Sequence, residues 1–228
     1  FAVLGDGNLF IGENLERQHG VNLIGATHEA NAVCMAEGWA KATGRLGVAT
    51  VTHGPGLTNT ITALVEGVKN GTPMILVAGD TPVENEQHLQ NLDQHALVAA
   101  TGAGFQPVRN VQTIAEDVST AVRRAHAEHR PVVLNVPLNI EWDEVEYEAR
   151  PALTPASLRL AADPDHLETA LGIIASSARP LIVAGRGAVK SGARDTLIRL
   201  GDVLGAPLAT SLLATGFFQG EPFDLGIH

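Results

Sequence analysis

Short apolar runs alternate with amphipathic stretches along almost the whole chain. Phe1–Leu4 is apolar and ends in the turn Gly5-Asp6-Gly7; helical spacing follows over Leu9–Gln18, then a second apolar run over Val21–Gly25. Thr27 is placed to cap the next helix, which Gly44 closes. Gly47–Thr52 reads as a strand, Leu57–Asn70 as a helix stopped by Gly71, and Met74–Gly79 as a nearly continuous apolar strand. Thr81–His95 is polar and reads as irregular, leading to a helical Ala96–Ala100 and a strand over Phe105–Val108. Thr113-Ile-Ala-Glu116 has the form of a capping box opening a helix to about Glu128, and Pro131–Val136 is a further buried strand.

Strands alternating with helices of this length predict an α/β fold, a mostly parallel sheet with helices on both faces. The acidic run Glu141–Arg150, followed by Pro151 and Pro155, breaks the alternation and predicts a connector over 141–162 between a first domain, 1–140, and the beginning of a second, 163–228. In the second, a helix starts at Asp163, a strand covers Leu181–Ala184, Ser191 caps a helix to about Leu204, and Pro207–Thr210 is a short strand. The chain starts inside an apparent strand without an initiator methionine and stops at His228 without a terminating element, which reads as a piece of something longer.

Composition narrows the function. Hydrophobic residues are 45% of the 228, enough for a real core, and the small ones suit close helix-on-sheet packing. A formal charge of −10 argues against a nucleic-acid or anionic-membrane surface. The single cysteine, Cys34, excludes an internal disulfide, is compatible with a reducing cytoplasmic setting, and reads as a buried small hydrophobe. No signal peptide is read in these residues, and no apolar run reaches the ~18 residues of a membrane span.

Two strand-to-helix junctions carry candidate chemistry. Glu29, in Thr27-His-Glu-Ala-Asn-Ala32, is a lone carboxylate in the first turn of a helix. The helix dipole stabilises its charge there, a ligand covering it favours the neutral acid, and a group poised between the two can exchange a proton with a heterocycle. Its simpler role is to cap the helix beside Thr27. At the next junction, Thr52-His53-Gly54-Pro55-Gly56-Leu-Thr-Asn59, the glycines allow close backbone approach, Pro55 stiffens the turn, and Asn59 can hydrogen-bond a polar ring. In α/β sheets such junctions are neighbours at the carboxyl ends of the strands, where ligands sit. Gly185-Arg-Gly187 is glycine-rich in the nucleotide-binding manner, but its third glycine is displaced and Asp202 precedes the next strand, so a nucleotide-dependent oxidoreductase is the weaker reading. The nine histidines are dispersed; His126 and His129 lack a carboxylate partner and read as solvated.

The segment Ala26-Thr-His-Glu-Ala-Asn-Ala-Val-Cys-Met-Ala-Glu-Gly-Trp-Ala-Lys-Ala-Thr-Gly44 resembles the pyrimidine-binding domain of thiamine diphosphate-dependent enzymes, in the subgroup of acetolactate synthase, benzoylformate decarboxylase and oxalyl-CoA decarboxylase. The resemblance extends through Val48–Asn59, Gly71–Pro82 and Arg130–Pro137. It continues into Arg179–Gly187 and Pro207–Gly216, which resemble the start of that family's central, Rossmann-like domain. It implies that Glu29 hydrogen-bonds the aminopyrimidine of thiamine diphosphate and so activates the thiazolium for attack on a 2-oxo acid, which is decarboxylated and then protonated or joined to a second carbonyl compound. It places Gly5, Asp6, Gly7, His53, Pro55, Gly56 and Asn59 around the same cofactor. Gly5-Asp6-Gly7 followed by Asn31 mimics the family's diphosphate–magnesium signature, but Asn31 falls inside a predicted helix and could not converge with Asp6 on one ion, so no metal residue is assigned.

Three departures from the family's pattern shape the expectation. The domain holding diphosphate and Mg2+ is expected outside this chain, so the chain holds half a site, is expected to be inactive alone, and belongs to a homodimer or homotetramer. A flavin, bound in the central domain of some relatives, is not predicted from the beginning of that domain. His53 stands where acetolactate synthases carry Ser, as an acid–base group or a solvated loop residue. The loop Gln87–His95 lacks their aromatic-Gln-Glu sequence, which leaves the 2-oxo acid open. A non-catalytic interaction or scaffold domain on the same fold is the alternative to an enzyme.

Overall fold

The computed structural model describes residues 1–82, 84–85, 87–147 and 161–227; most of the expected connector, 148–160, lies outside the described residues. The chain divides into two compact units, Phe1–Ser157 and Leu158–His228.

The first unit is built on a four-stranded parallel sheet. Its strands are β1 (Gly47–Val51), β2 (Met74–Asp80), β3 (Gly104–Pro107) and β4 (Pro131–Pro137), in the spatial order β1-β2-β4-β3. Among the described residues, seven α-helices accompany them: α1 (Leu9–Arg17), α2 (Glu29–Thr43), α3 (Pro55–Thr58), α4 (Ile61–Asn70), α5 (Gln94–Thr101), α6 (Ile114–Glu128) and α7 (Leu138–Glu141). Side chains alternate across the sheet as the pleat demands. Met74, Leu76 and Ala78 of β2 and Val133 of β4 meet Ala32, Val33 and Ala36 of α2, Leu64 of α4 and Val98 of α5. Ile75, Val132, Leu134 and Val136 face the other way, onto Ala121 and Ala125 of α6. Both faces are therefore covered, as the near-continuous apolar strands require.

Local chemistry shifts several expected boundaries. Phe1–Leu4 and Val21–Gly25 do not form strands: Ala2 alone bridges Gly25 on one side and Thr50 on the other before the Gly5 turn redirects the chain. The expected helix Leu57–Asn70 is split at Asn59 and Thr60, where the Thr60 hydroxyl donates to the Leu57 carbonyl at 2.7 Å and competes with the helical ladder. α2 is capped by the His28 ring, whose Nδ1 accepts the Ala30 amide at 3.1 Å, and not by Thr27. Gly44 and Gly71 close α2 and α4 in the left-handed conformation, as expected. The Thr113–Glu116 capping box does not form, because the Thr113 hydroxyl donates to Asp117 at 2.8 Å. Cys34 is exposed on α2, since the buried stripe runs through Ala32, Val33 and Ala36. His129 is exposed, but His126 is half-buried, and burial lowers its imidazole pKa.

The second unit carries a smaller parallel sheet, β5 (Ile182–Ala184), β6 (Leu208–Thr210) and β7 (Asp224–Ile227), with α8 (Pro164–Ala175), α9 (Arg186–Lys190) and α10 (Arg194–Leu204). Asp163 caps α8 by accepting two backbone amides. Ser191 closes α9 and does not open α10. β7 escaped the sequence reading because it is short, contains Gly226 at φ 76°, and pairs with a register shift. Ala184, Leu208 and Phe218 are the buried residues of this core.

One polar cluster fastens α6 to β3. The buried carboxylate of Asp117 accepts from Arg109 Nε and Nη2 at 3.0 and 2.8 Å, from the Arg109 amide at 3.2 Å and from Thr113. Burial works against its charge, but these donors outweigh burial and hold its pKa below the ordinary carboxylate range. A depressed folded-state pKa stabilises the fold above the unfolded carboxylate range and loses that contribution as pH falls through the folded value. Asp117→Ala should therefore cost about 1–3 kcal/mol near neutral pH, with the deficit shrinking in strong acid, as read from urea unfolding midpoints.

Candidate functional site

The first turn is held by a buried asparagine. Asn8 precedes α1 without capping it; its Oδ1 accepts the Gly5 amide at 2.8 Å, and its Nδ2 donates to the Val3 carbonyl at 3.1 Å and to Thr50 Oγ1 at 3.0 Å. This draws Gly5-Asp6-Gly7 onto the end of β1. A Cβ on Gly5 would press against the Thr52 side chain, and one on Gly7 would overlap the His53 ring, so both positions require glycine for space. Thr52 Oγ1 accepts the Gly7 amide at 3.0 Å and donates to Asp6 Oδ1 at 2.8 Å.

On the other side of Thr52 lies Glu29. It is half-buried at the first position of α2, and its Oε2 accepts from Asn59 Nδ2 at 2.9 Å. Gly56 sits between: a Cβ there would come within 2.7 Å of Thr52 Cγ2 and 3.9 Å of Glu29 Oε1. Pro55 is the first residue of α3, and Gly54 ahead of it has φ 60°. The eight residues singled out from the sequence, Gly5, Asp6, Gly7, Glu29, His53, Pro55, Gly56 and Asn59, therefore share one neighbourhood at the carboxyl end of β1. Asn31 lies apart on an exposed position of α2.

His53 is fully buried, which overturns the solvated-loop alternative. The Thr52 hydroxyl proton is committed to Asp6, so toward His53 Nδ1, 3.3 Å away, Thr52 can only accept. That assigns the imidazole proton to Nδ1 and leaves Nε2 a bare lone pair, buried and without a hydrogen-bond partner among the described residues. Burial pushes the His53 pKa down, with Asp6 pulling it back and His88 lowering it further. Asp6 itself is held below the ordinary carboxylate range: burial opposes its charge, but bonds from Thr52, the Gly7 amide and Gln90 prevail. The His88 ring packs on His53 with centroids 5.3 Å apart.

Asp6, His53 and His88 each offer a ligand-type atom, all within 4.8 Å of one another. His88 Nδ1 accepts the Gln90 amide at 3.2 Å, which puts the His88 proton on Nε2, the nitrogen otherwise left for a metal. A neutral imidazole binds metal through a lone pair, so the trio is better suited to holding a proton than a dication.

Sequence reasoning missed four contributors: Thr52 as the junction, His88, the buried Gln94, and Glu141. For His88 and Gln94 the signal was the density of histidine and amide residues in Gln87–His95, just after a buried strand. Glu141 ends α7, with Oε1 buried and unpartnered among the described residues; burial first, and the field of Asp6 second, raise its pKa to about 7. In the second unit, a Cβ on Gly187 would meet open space and one on Gly185 only the Ser211 hydroxyl at 3.6 Å, and Asp202 lies on α10, ahead of β6.

Residues 1–97 match the family described as thiamine pyrophosphate enzyme, N-terminal TPP binding domain, and residues 167–227 match its central domain. The chain belongs to the thiamine pyrophosphate enzyme family. Its relatives include the probable acetolactate synthase large subunit of Methanocaldococcus jannaschii, 30% identical over 210 residues, covering 88% of this chain and 35% of that protein. They also include the sulfoacetaldehyde acetyltransferase of Rhodobacter capsulatus, 26% identical over 223 residues, covering 97% and 37%. A crystal structure from Mycobacterium smegmatis, classed with thiamin diphosphate-dependent enzymes, superimposes with a TM-score of 0.80 at 25% identity, over 100% of this chain and 44% of that one. The chain thus spans about a third of the length of the curated relatives it matches.

Glu141 provides a test of the electrostatics at this edge. A carboxyl whose folded-state pKa is raised stabilises the fold fully below its unfolded value, about 4.3, and loses that contribution as pH rises through about 7. Glu141→Gln should therefore raise the melting temperature relative to wild type more at about pH 8 than at about pH 5. An equal change at both would show that Glu141 is solvated.

Proposed function

We propose that the whole protein is a thiamine diphosphate-dependent decarboxylase or carboligase of a 2-oxo acid, to which this chain supplies the pyrimidine side of the site. The observation that carries this reading is the Glu29–Asn59 pair beside Gly56. One carboxylate oxygen is tethered by the Asn59 amide, and the other faces the space that a Cβ on Gly56 would narrow. That arrangement fits an aminopyrimidine: an oriented carboxylate for a ring nitrogen and uncluttered backbone for its edge. The residues that would hold the ring are Glu29, Gly56 and Asn59, with Gly5–Gly7 and Pro55 shaping the walls.

Bound there, the cofactor's thiazolium supplies the electron sink for the carbon–carbon bond that breaks or forms. Glu29 holds or releases the proton at the aminopyrimidine nitrogen, and Asn59 keeps its carboxylate turned toward that atom. Asp6, on the open side of Thr52, presents a carboxylate to the site, and the buried His53 behind it stays neutral, as its burial favours. The diphosphate and Mg2+ are held by a domain outside residues 1–228, from the partner subunit of a homodimer or homotetramer, and the chain alone is inactive. A cytoplasmic setting is part of this reading, in keeping with the single cysteine. Among the described residues, no helix is long and apolar enough to cross a membrane. The loop Gln87–His95, which lacks the aromatic-Gln-Glu sequence of acetolactate synthases, leaves the identity of the 2-oxo acid open.

In the full-length protein, Glu29→Gln should still bind thiamine diphosphate with Mg2+ in a calorimetric titration but lose roughly a hundredfold or more of its turnover across a 2-oxo acid panel. Wild-type protein that binds no cofactor would remove the thiamine reading and leave a scaffold role.

A further inference from the structure

Gln94 is the first residue of α5 and only 2% exposed, an unusual place for a primary amide. Its Oε1 accepts the backbone amide of Gly54 at 2.9 Å. Its Nε2 donates to the Gly79 carbonyl at 2.8 Å and to Asn135 Oδ1 at 2.7 Å. Asn135 in turn donates through Nδ2 to Asp80 Oδ2 at 2.7 Å. The amide orientation is forced, because both partners of Nε2 are acceptors and the partner of Oε1 is a donor. One side chain thus ties the ends of β2 and β4 to the turn that follows β1.

Two of those bonds satisfy strand ends, as a structural glutamine would. The third reaches a turn that no strand or long helix holds. Gly54 has φ 60° and ψ −113°, a conformation open to glycine, and the Gln90 carbonyl packs so closely over it that a Cβ would overlap. His88, from the same segment, lies against His53, and Thr81 Oγ1 donates to Asn91 at 3.0 Å to hold that segment to the end of β2. Residues 88–94 therefore clamp 53–56 from the side opposite Glu29, and the directional bond in the clamp is the one from Gly54 to Gln94.

We propose that Gln94 is a positioning residue for the cofactor turn: through the Gly54 amide it sets where His53 and Gly56 stand relative to Glu29, without touching ligand. The anchoring stands on geometry alone; its consequence for turnover rests on the function proposed above. Placement matters at this scale, because a displacement of about 1 Å in a reacting constellation costs on the order of a hundredfold in rate.

Amide hydrogen exchange on the 228-residue chain tests the anchor directly. Gln94→Met keeps the length and removes every polar atom; Gln94→Glu keeps an acceptor for the Gly54 amide. Val133, at the sheet centre, reports general stability. In Gln94→Met, Gly54 should exchange roughly tenfold or more faster relative to Val133, and in Gln94→Glu it should stay within about threefold of wild type relative to Val133. In the full-length enzyme, Gln94→Met should lower kcat roughly tenfold or more with KM for the 2-oxo acid changed by less than about twofold. Unchanged Gly54 exchange in Gln94→Met overturns the proposal, as does equal loss of protection at Gly54 and Val133, including by unfolding, or a Gln94→Glu protein that matches Gln94→Met at Gly54. If wild-type enzyme shows no thiamine-dependent turnover while the exchange pattern holds, the failure belongs to the proposed function and not to the anchor.

Discussion

The hydroxyl of Thr52 stands between the two halves of the candidate site, and its single proton decides how both are arranged. Donated to Asp6 and met by the Gly7 amide, it pins the first turn against the end of β1. Because that proton is committed, the neighbouring imidazole must carry its own on Nδ1 and present a bare Nε2 inward. The methyl of the same residue walls the space beside Gly56 and Glu29. One β-branched side chain therefore sets the tautomer on one side and the shape on the other. Its position depends on β1 having the register it has against β2.

The sheet enforces that register. Gly47–Val51 pairs with Met74–Ala78 residue for residue, and a slip of one would turn buried Val51 and Ala49 outward. Burial on both faces makes slippage costly, so the carboxyl ends of β1, β2 and β4 are held at fixed heights. Gln94, Asn135 and Asp80 then satisfy the polar groups exposed where those strands end. Such networks are rigid because each member is committed, and an unmet amide in that setting would cost more than the bond contributes. A rigid floor under a half-buried carboxylate is what orientation of a heterocycle requires.

Charge at this edge is distributed rather than concentrated. Asp6 is kept ionised by donors, His53 is pressed toward neutrality by burial, and Glu141 is raised to about 7 by burial and by Asp6. Titratable groups whose environments push them apart can divide acid and base roles between them. The relatives differ in their reactions by their names, a synthase and an acetyltransferase.

Periodicity alone determined the architecture: alternating apolar strands and amphipathic helices admit few solutions besides a parallel sheet covered on both faces. Glu29 and the His53–Asn59 turn were also legible, because a carboxylate in a first helical turn and a Gly-Pro-Gly junction are local signals. What only the tertiary structure decided is which residues face each other across sequence gaps. His28, and not Thr27, caps α2; Asn8 serves the first turn instead of its own helix; Cys34 falls outside the buried stripe. His53 looked equally suited to solvent or to chemistry until Gly7 and His88 closed over it. Gln94 read as one more polar loop residue, because a buried amide is recognised by its partners, and its partners lie on two strand ends and in the turn after a third strand, brought together only by the fold.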